Sequence, residues 1–443
     1  MNATLKVKNF GPIKDVELDL RDVNVFIGPQ ASGKSVLAKL YTICKSPSLY
    51  CQGVDDMRNF ENIDSGKAFL YFSHEMKSTK FFENLAKFSL GAFYNNKTII
   101  EFDCSTHFLQ FKDGDFNFID KLANYEIPDT LENSTIKEFD NKLNAFRPIS
   151  FYLESELSKT ALIAHISSQN EINDETIELF RKKLNLWNNF RRLLYSIKCN
   201  YIPSERTLAV LLKKAALNLM HQRVPIPEHL LEFAANYNTA TDKIKNLDLS
   251  YLKLSARYKN IDGEDFILDD DTTLKLSESA SGLQSVVPLL ITLENLKNSG
   301  EENAFHQAFV IEEPETNLFP KAQYALLKYL EKNRPNDEGK IDTGSVHIYT
   351  THSPFILSSL NNMLYAYKKG NAASTKVQEE IAQILPKENW ISPERFSAYQ
   401  IVDGKAESIF DRESGLIQEN IIDQISDDII EDFRSIAIAT MES

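Results

Sequence analysis

Apolar and polar residues alternate over residues 3–8 and again from Val16 to Leu20, with Phe10-Gly11-Pro12 between them. A period of two marks half-exposed strands, and the Gly-Pro turn joins them into a predicted hairpin. Val23 to Ile27 is nearly continuous in apolar residues, the pattern of a strand buried on both faces. Val36, Leu37, Leu40 and Ile43 then recur at helical spacing, so Ser35 to Ile43 predicts a helix. Between that strand and that helix stands the short glycine-containing stretch GPQASGKS, residues 28–35.

Regularity is lost after this helix. Thr98 to Phe102 and His107 to Phe111 read as a second hairpin, and residues 130–198, rich in Leu, Lys, Asn and Glu, read as helical. Tyr201-Ile202-Pro203 is a short strand, followed by a helical stretch over 207–245 that Pro225 and Pro227 interrupt. Order then returns. Phe266 to Leu276 is strand material with a turn at Asp269 to Asp271, and Ser285 to Leu296 is a helix. Phe309 to Ile311 is a buried strand and Lys321 to Lys332 a helix. Asn333 to Gly344 is a polar loop, Val346 to Thr350 a further buried strand, and Ile421 to Arg434 an acidic helix. No repeat and no low-complexity tract occurs. The alternation of strand and helix at both ends implies one α/β core built around a parallel sheet. Residues 1–45 and 200–410 form that unit, 46–199 an insertion with a β-hairpin and helices, and 411–443 a short acidic C-terminal segment.

Composition narrows the classes. With 42% hydrophobic and 25% charged residues the chain is ordinary, but its formal net charge of −14 opposes nonspecific coating of nucleic acid. The basic clusters Arg181 to Lys183 and Arg191-Arg192 read as decoration of a solvated helix. Cys44, Cys51, Cys104 and Cys199 show no paired spacing and read as free thiols in a reducing compartment. The charged first strand lacks the layout of a secretion signal, and no apolar run approaches the roughly 18 residues of a membrane span. The expectation is a cytoplasmic protein without a membrane partner.

Four segments carry chemistry. Gly28, Pro29, Gln30, Ala31, Ser32, Gly33, Lys34 and Ser35 have the spacing of a P-loop between a buried strand and a helix. Backbone N–H groups and a helix N-terminus cradle phosphates there, the lysine reaches the outer phosphates, and the serine hydroxyl holds Mg²⁺. Phe309-Val310-Ile311-Glu312-Glu313 is an apolar strand ending in two acids. The first suits Mg²⁺ and the second suits orienting or deprotonating an attacking water. Ser281-Gly282-Leu283-Gln284, with Gln284 placed 28 residues before Glu312, reads by itself as a helix cap. Thr350-Thr351-His352-Ser353-Pro354 ends the last buried strand with a histidine.

Taken in order, these segments resemble the P-loop, signature, Walker B and switch histidine of ABC-type ATPase heads, a parallel core sheet with an antiparallel β lobe. The opening LKVKNFGPIKDVELDL, the run Glu312 to Glu315 and TTHSPFIL (350–357) are similar to the RecF, SMC and OLD group. Within that group the chain most resembles the small ATPases of bacterial anti-phage systems (OLD-type, Septu, retron-associated and PARIS), and GPQASGKS and YIPSER (201–206) resemble the PARIS type especially. The likeness covers residues 1–45, 200–210 and 265–410. It implies ATP and Mg²⁺ as cofactors, with Ser281, Gly282 and Gln284 of one subunit closing on nucleotide held by another. Glu312 and Ser35 then serve the metal, Glu313 activates water, and His352 contacts the γ-phosphate. One P-loop per chain implies a homodimer or higher homo-oligomer. The resemblance further implies a sensor coupled to a separate effector, a nuclease or toxin. A RecF-like repair ATPase acting on DNA and an ATP-stabilised scaffold are the alternatives. The sequence also departs from the group. No sustained heptads predict long coiled-coil arms. Val402-Asp403-Gly404 resembles only the start of a Toprim nuclease. No Q-loop glutamine is evident, and Glu205-Arg206 in that region fits either such a role or a structural ion pair.

Overall fold

The computed structural model describes residues 3–46, 78–120, 198–222, 224–254, 256–269, 272–298, 307–334 and 346–441. Strands β1 (Ala3–Phe10) and β2 (Ile13–Leu20) form the expected hairpin. Strand β3 (Val23–Ile27) leads through the glycine loop into α1 (Lys34–Lys45). Helix α2 spans 78–87, and β4 (Ile99–Asp103), β5 (His107–Lys112), β6 (Asp115–Asp120) and β7 (Lys198–Ile202) follow. Helices α3 (Arg206–Leu212), α4 (Ala216–His221) and α5 (Glu228–Lys243) precede four short strands. These are β8 (Asn246–Asp248), β9 (Arg257–Ile261), β10 (Glu264–Leu268) and β11 (Thr273–Lys275), which pair as a small antiparallel sheet of their own. The chain then alternates through α6 (Ser281–Asn298), β12 (Gln307–Glu312), α7 (Pro320–Lys332), β13 (His347–Thr350) and α8 (Pro354–Ala372). It ends with α9 (Thr375–Ile384), β14 (Phe396–Val402), β15 (Lys405–Ser408), β16 (Phe410–Asp411), β17 (Leu416–Ile417) and α10 (Ile421–Met441).

Among the described residues the main sheet has eleven strands in the order β6-β5-β4-β1-β2-β15-β14-β3-β13-β12-β7. From β14 to β7 the pairing is parallel, and from β6 to β2 it is antiparallel. The fold is therefore mixed α/β, a parallel core with an antiparallel lobe. Both faces of the core are covered, which is why its strands read as apolar runs. Val25, Ile27, Phe309, Ile311 and Tyr349 lie in one cluster with Leu289 and Leu290 of α6. Phe26, Val310 and Ile348 lie in the other with Leu37, Leu40 and Tyr41 of α1. Each such fully buried side chain contributes about 1.5–3 kcal/mol, so the base of α1 and the root of α6 are held firmly against opposite faces.

Register decides where chemistry can gather. Glu312 pairs with Thr350, and Thr350 with Phe26. The three loops leaving β3, β12 and β13 therefore emerge side by side at the carboxyl edge of the sheet, where open α/β sheets place their ligands.

Two organisational expectations change. The hairpin placed in the insertion, residues 98–111, is β4 and β5; with β6 it extends the main sheet, because β4 pairs with β1 from Thr4↔Asp103 to Lys8↔Ile99. That pairing satisfies the edge of β1 that β2 leaves open. The start of the C-terminal segment is likewise part of the body, since Ile417 is buried and its amide donates to Asn361 Oδ1 at 2.8 Å. Asp403 and Gly404 form the tight turn between β14 and β15, and the Gly404 carbonyl accepts from the amides of Lys14 and Asp15. The helical expectation for 130–198 lies outside the described residues except at Lys198, which opens β7, and nearly all of the polar loop expected at 333–344 lies outside them too. Among the described residues no helix is long and apolar enough to cross a membrane, and the longest, α10, has 21 residues.

Candidate active site

The loop after β3 owes its shape to two glycines. Gly28 has φ +144° and Gly33 φ +107°, conformations that L side chains rarely adopt. A Cβ at Gly28 would overlap the Ile401 carbonyl, and one at Gly33 would overlap the Ile13 side chain. Pro29, Gln30 and Ala31 form the exposed tip, with Ala31 itself at φ +59°. Gly33 caps α1 without a side-chain bond, so the first amides of that helix are free to meet an anion. Lys34 is only 5% exposed, and its Nζ donates to the carbonyls of Gly28 (2.9 Å) and Pro29 (2.8 Å). Burial lowers its pKa, against the opposing pull of Glu313, Glu312 and Glu315.

Those acids come from the end of β12. Glu312 is buried, and its Oε1 has no hydrogen-bond partner. Burial raises its pKa, opposed by Ser35, Tyr201 and Lys39. An unpaired buried carboxylate oxygen is costly, and a divalent cation shared with the Ser35 hydroxyl would relieve it. The donor set therefore fits Mg²⁺, which takes one or two protein oxygens and completes its shell with phosphate and water.

Glu313 is the strained member, with φ +42° in the left-handed region. Its amide donates to the Thr350 carbonyl at 2.8 Å, and its Oε1 lies 3.6 Å from His352 Nε2. Burial, and then Lys34, lower the pKa of His352 against the pull of Glu313, so the imidazole is neutral near pH 7. The backbone N–H of His352 and the hydroxyl of Thr351 both donate to Glu315 Oε1, at 2.9 and 2.6 Å. Glu315 thus ties the histidine loop to the acid loop. It was not among the expected site residues, although the run Glu312 to Glu315 already contained it.

The sequence model of the AAA ATPase domain family matches residues 1–357, most of the chain. The chain belongs to this family. No curated protein matches it. Among solved structures, the SMC head domain from Thermotoga maritima is 11% identical with a TM-score of 0.34, covering 92% of this chain and 98% of that one. The recombination mediator protein RecF in its ATPrS-bound structure is 13% identical with a TM-score of 0.26, again covering 92% and 98%.

In this AAA ATPase the remaining segment, Ser281 to Gln284, opens α6. Ser281 is exposed at the first residue of α6, and Gly282 packs on the loop after the acids, where an added Cβ would lie 2.7 Å from the Asn317 carbonyl. Gln284 donates from Nε2 to the carbonyls of Ser279 (2.8 Å) and Ser277 (3.2 Å). Its amide braces the approach to α6, because the turn there leaves those two acceptors otherwise open. Arg206 is the largest feature sequence reasoning left undecided. Its guanidinium is fully buried, and it forms no ion pair with Glu205. All its donors go to oxygens of Pro203, Ser285, Glu312 and Glu313. Burial brings its pKa down to about 10, with Glu315, Glu313, Glu312 and Glu205 opposing. It remains charged.

Proposed function

We propose that this chain is an ABC-type ATPase that binds ATP with Mg²⁺ at residues 28–35 and hydrolyses it in a homodimer or larger homo-oligomer. The observation that carries this reading is the convergence of buried Lys34, the partnerless Glu312 oxygen and the Glu313–His352 pair at one sheet edge. Lys34 and the amides at the start of α1 hold the outer phosphates. Ser35 and Glu312 hold Mg²⁺, which neutralises charge on the phosphates when bound. Glu313 takes the proton of the attacking water or orients it, and neutral His352 donates a hydrogen bond to the γ-phosphate. Ser281, exposed at the N-terminus of α6, and Gly282 beside it close on the nucleotide of a second copy. The test is turnover by the purified protein. Glu313→Gln should keep ATP binding and slow hydrolysis by about a hundredfold or more; unchanged turnover would sink the assignment.

For the biological role we favour the sensor or regulatory subunit of a bacterial anti-phage system, in which nucleotide state controls a separate nuclease or toxin. Its support is the wording of GPQASGKS and YIPSER together with a net charge of −14, which works against broad attraction to DNA. A RecF-like ATPase acting on DNA fits the same site. DNA affinity that falls steeply with salt would decide for that reading, and ATP-dependent assembly with negligible turnover would decide for a scaffold.

A further inference from the structure

We propose that Arg206 is a positioning residue that links the signature helix of a subunit to that subunit's own Glu313. Engagement of Ser281 with nucleotide on one side of the dimer would then set the water-activating carboxylate on the other. The inference rests on the composite-site reading given above.

The geometry is that of a junction. A guanidinium has five N–H donors in a fixed fork, and here every one is used. Nη1 donates to the carbonyls of Pro203 (2.9 Å), where β7 ends, and of Glu312 (2.6 Å). Nη2 donates to the Glu313 carbonyl (2.8 Å) and to Ser285 Oγ (3.2 Å). Nε donates to the Ser285 carbonyl (3.1 Å). Three elements that carry different parts of the site thus meet on one planar group with no exposure to solvent.

Two features make this junction suited to transmission. First, Ser285 lies one turn into α6 from Ser281, in the part of the helix that Pro288 loosens. A proline there offers no N–H to the Gln284 carbonyl four residues earlier and crowds it, next to the Ser285 carbonyl that Arg206 Nε holds. Gly282 on the Asn317 carbonyl seats the same helix end on the acid loop. A shift of Ser281 therefore reaches the acid loop directly. Second, Glu313 is held in a left-handed conformation that a non-glycine residue leaves unless its surroundings fix it. Its carbonyl is fixed by Arg206 and by Thr316 Oγ1 (2.9 Å). Loosening the Arg206 fork frees that peptide to relax, and the carboxylate moves with it. A mere brace would share the five bonds but not this placement between a ligand-facing helix end and a strained catalytic residue.

The experiment measures ATP turnover against ATP concentration, together with binding of a fluorescent ATP analogue, for the wild-type chain, Arg206→Lys and Ser285→Ala. Lysine keeps the charge but cannot span three sites. We expect a sigmoidal wild-type curve. Arg206→Lys should bind the analogue within about threefold of wild type yet lose about tenfold or more in kcat and become hyperbolic. Ser285→Ala, which removes one acceptor, should lose about two- to fivefold in kcat and flatten the curve in part. If Arg206→Lys does not fold, Ser285→Ala decides alone. Variants that keep wild-type kcat and curve shape and only melt earlier overturn the link, as does a hyperbolic wild-type curve. A wild-type chain that neither binds nor hydrolyses ATP refutes the parent reading instead.

Discussion

Replacing Glu313 by glycine should make the protein more stable and inactive. Glu313 sits at φ +42°, and the left-handed region costs a non-glycine residue about 1–2 kcal/mol. Glycine removes that cost but loses about 0.5–1 kcal/mol more backbone entropy on folding. The backbone bonds at this position, from Arg206 and Thr316 to its carbonyl and from its amide to Thr350, are unaffected by the side chain. The only direct side-chain partners lost are Thr316 Oγ1 at 3.4 Å and His352 at 3.6 Å, both weak and partly exposed. The balance is a gain of about 0.5–1 kcal/mol for Glu313→Gly over Glu313→Gln, which keeps the strain. Urea unfolding of wild type, Glu313→Gln and Glu313→Gly, with ATP turnover on the same samples, measures it. Both variants should lose turnover, and the glycine variant should have the highest midpoint. A glycine variant less stable than the glutamine variant would refute the claim that the left-handed backbone stores strain for catalysis.

Other consequences follow from the buried charges and the glycine loop. Glu331 accepts from Arg334 Nε (3.0 Å) and Tyr349 OH (2.7 Å) and lies 3.0 Å from His347 Nδ1. Burial alone would raise its pKa, but Arg334, His347 and Tyr349 hold it down to about 2. A depressed carboxylate stabilises the fold above its unfolded pKa and ceases to do so as pH falls toward the folded value. A contribution on the order of 3 kcal/mol should therefore fade between about pH 4.5 and pH 2. The stability gap to Glu331→Gln should shrink over that window, and a gap constant with pH would contradict it. Asp265 receives Lys213 Nζ (2.8 and 2.9 Å), Tyr237 OH (2.7 Å), Tyr258 OH and Asn260 Nδ2 (both 2.8 Å). Asp265→Asn leaves Lys213 without its charge partner and should cost about 3–5 kcal/mol in urea unfolding. Gly33→Ala should abolish binding of a fluorescent ATP analogue while the chain stays folded, because φ +107° and the Ile13 contact leave no room for a Cβ.

The gathering of Lys34, Glu312, Glu313 and His352 at one sheet edge was legible in the sequence because each of its parts is a local backbone solution. Gly28 and Gly33 announce conformations that other residues avoid, and they do so at a fixed distance from Lys34. The acid pair and His352 each end a short apolar run rich in β-branched and aromatic residues, the pattern of a strand covered on both faces. Once the runs are core strands of a parallel sheet, their carboxyl ends must lie together, and so must Lys34, Glu312, Glu313 and His352. The antiparallel strand β6 and the joining of β4 to β1 were less visible. Pairing partners far apart in the chain leave no mark on either strand beyond alternation, which suits an isolated hairpin equally well.

The hydrogen-bond partners of Gln284 and Arg206 were not legible for one physical reason. Both are polar side chains whose role depends on which backbone oxygens the fold leaves open, and a sequence does not display open carbonyls. Nothing in the stretch Ser281 to Gln284 shows that the Ser277 and Ser279 carbonyls accept from the glutamine side chain. An arginine after an acid reads as half of an ion pair until five neutral oxygens surround it. Such oxygens gather where regular structure stops, at Pro203 after β7, at Glu312 and Glu313 after β12, and beside Pro288 in α6. These interruptions are also where the site must bend its backbone to present Glu313. The residue that satisfies the interruptions is therefore the one best placed to feel a change in any of them, which is why the buried arginine is the natural link between the two halves of the proposed composite site.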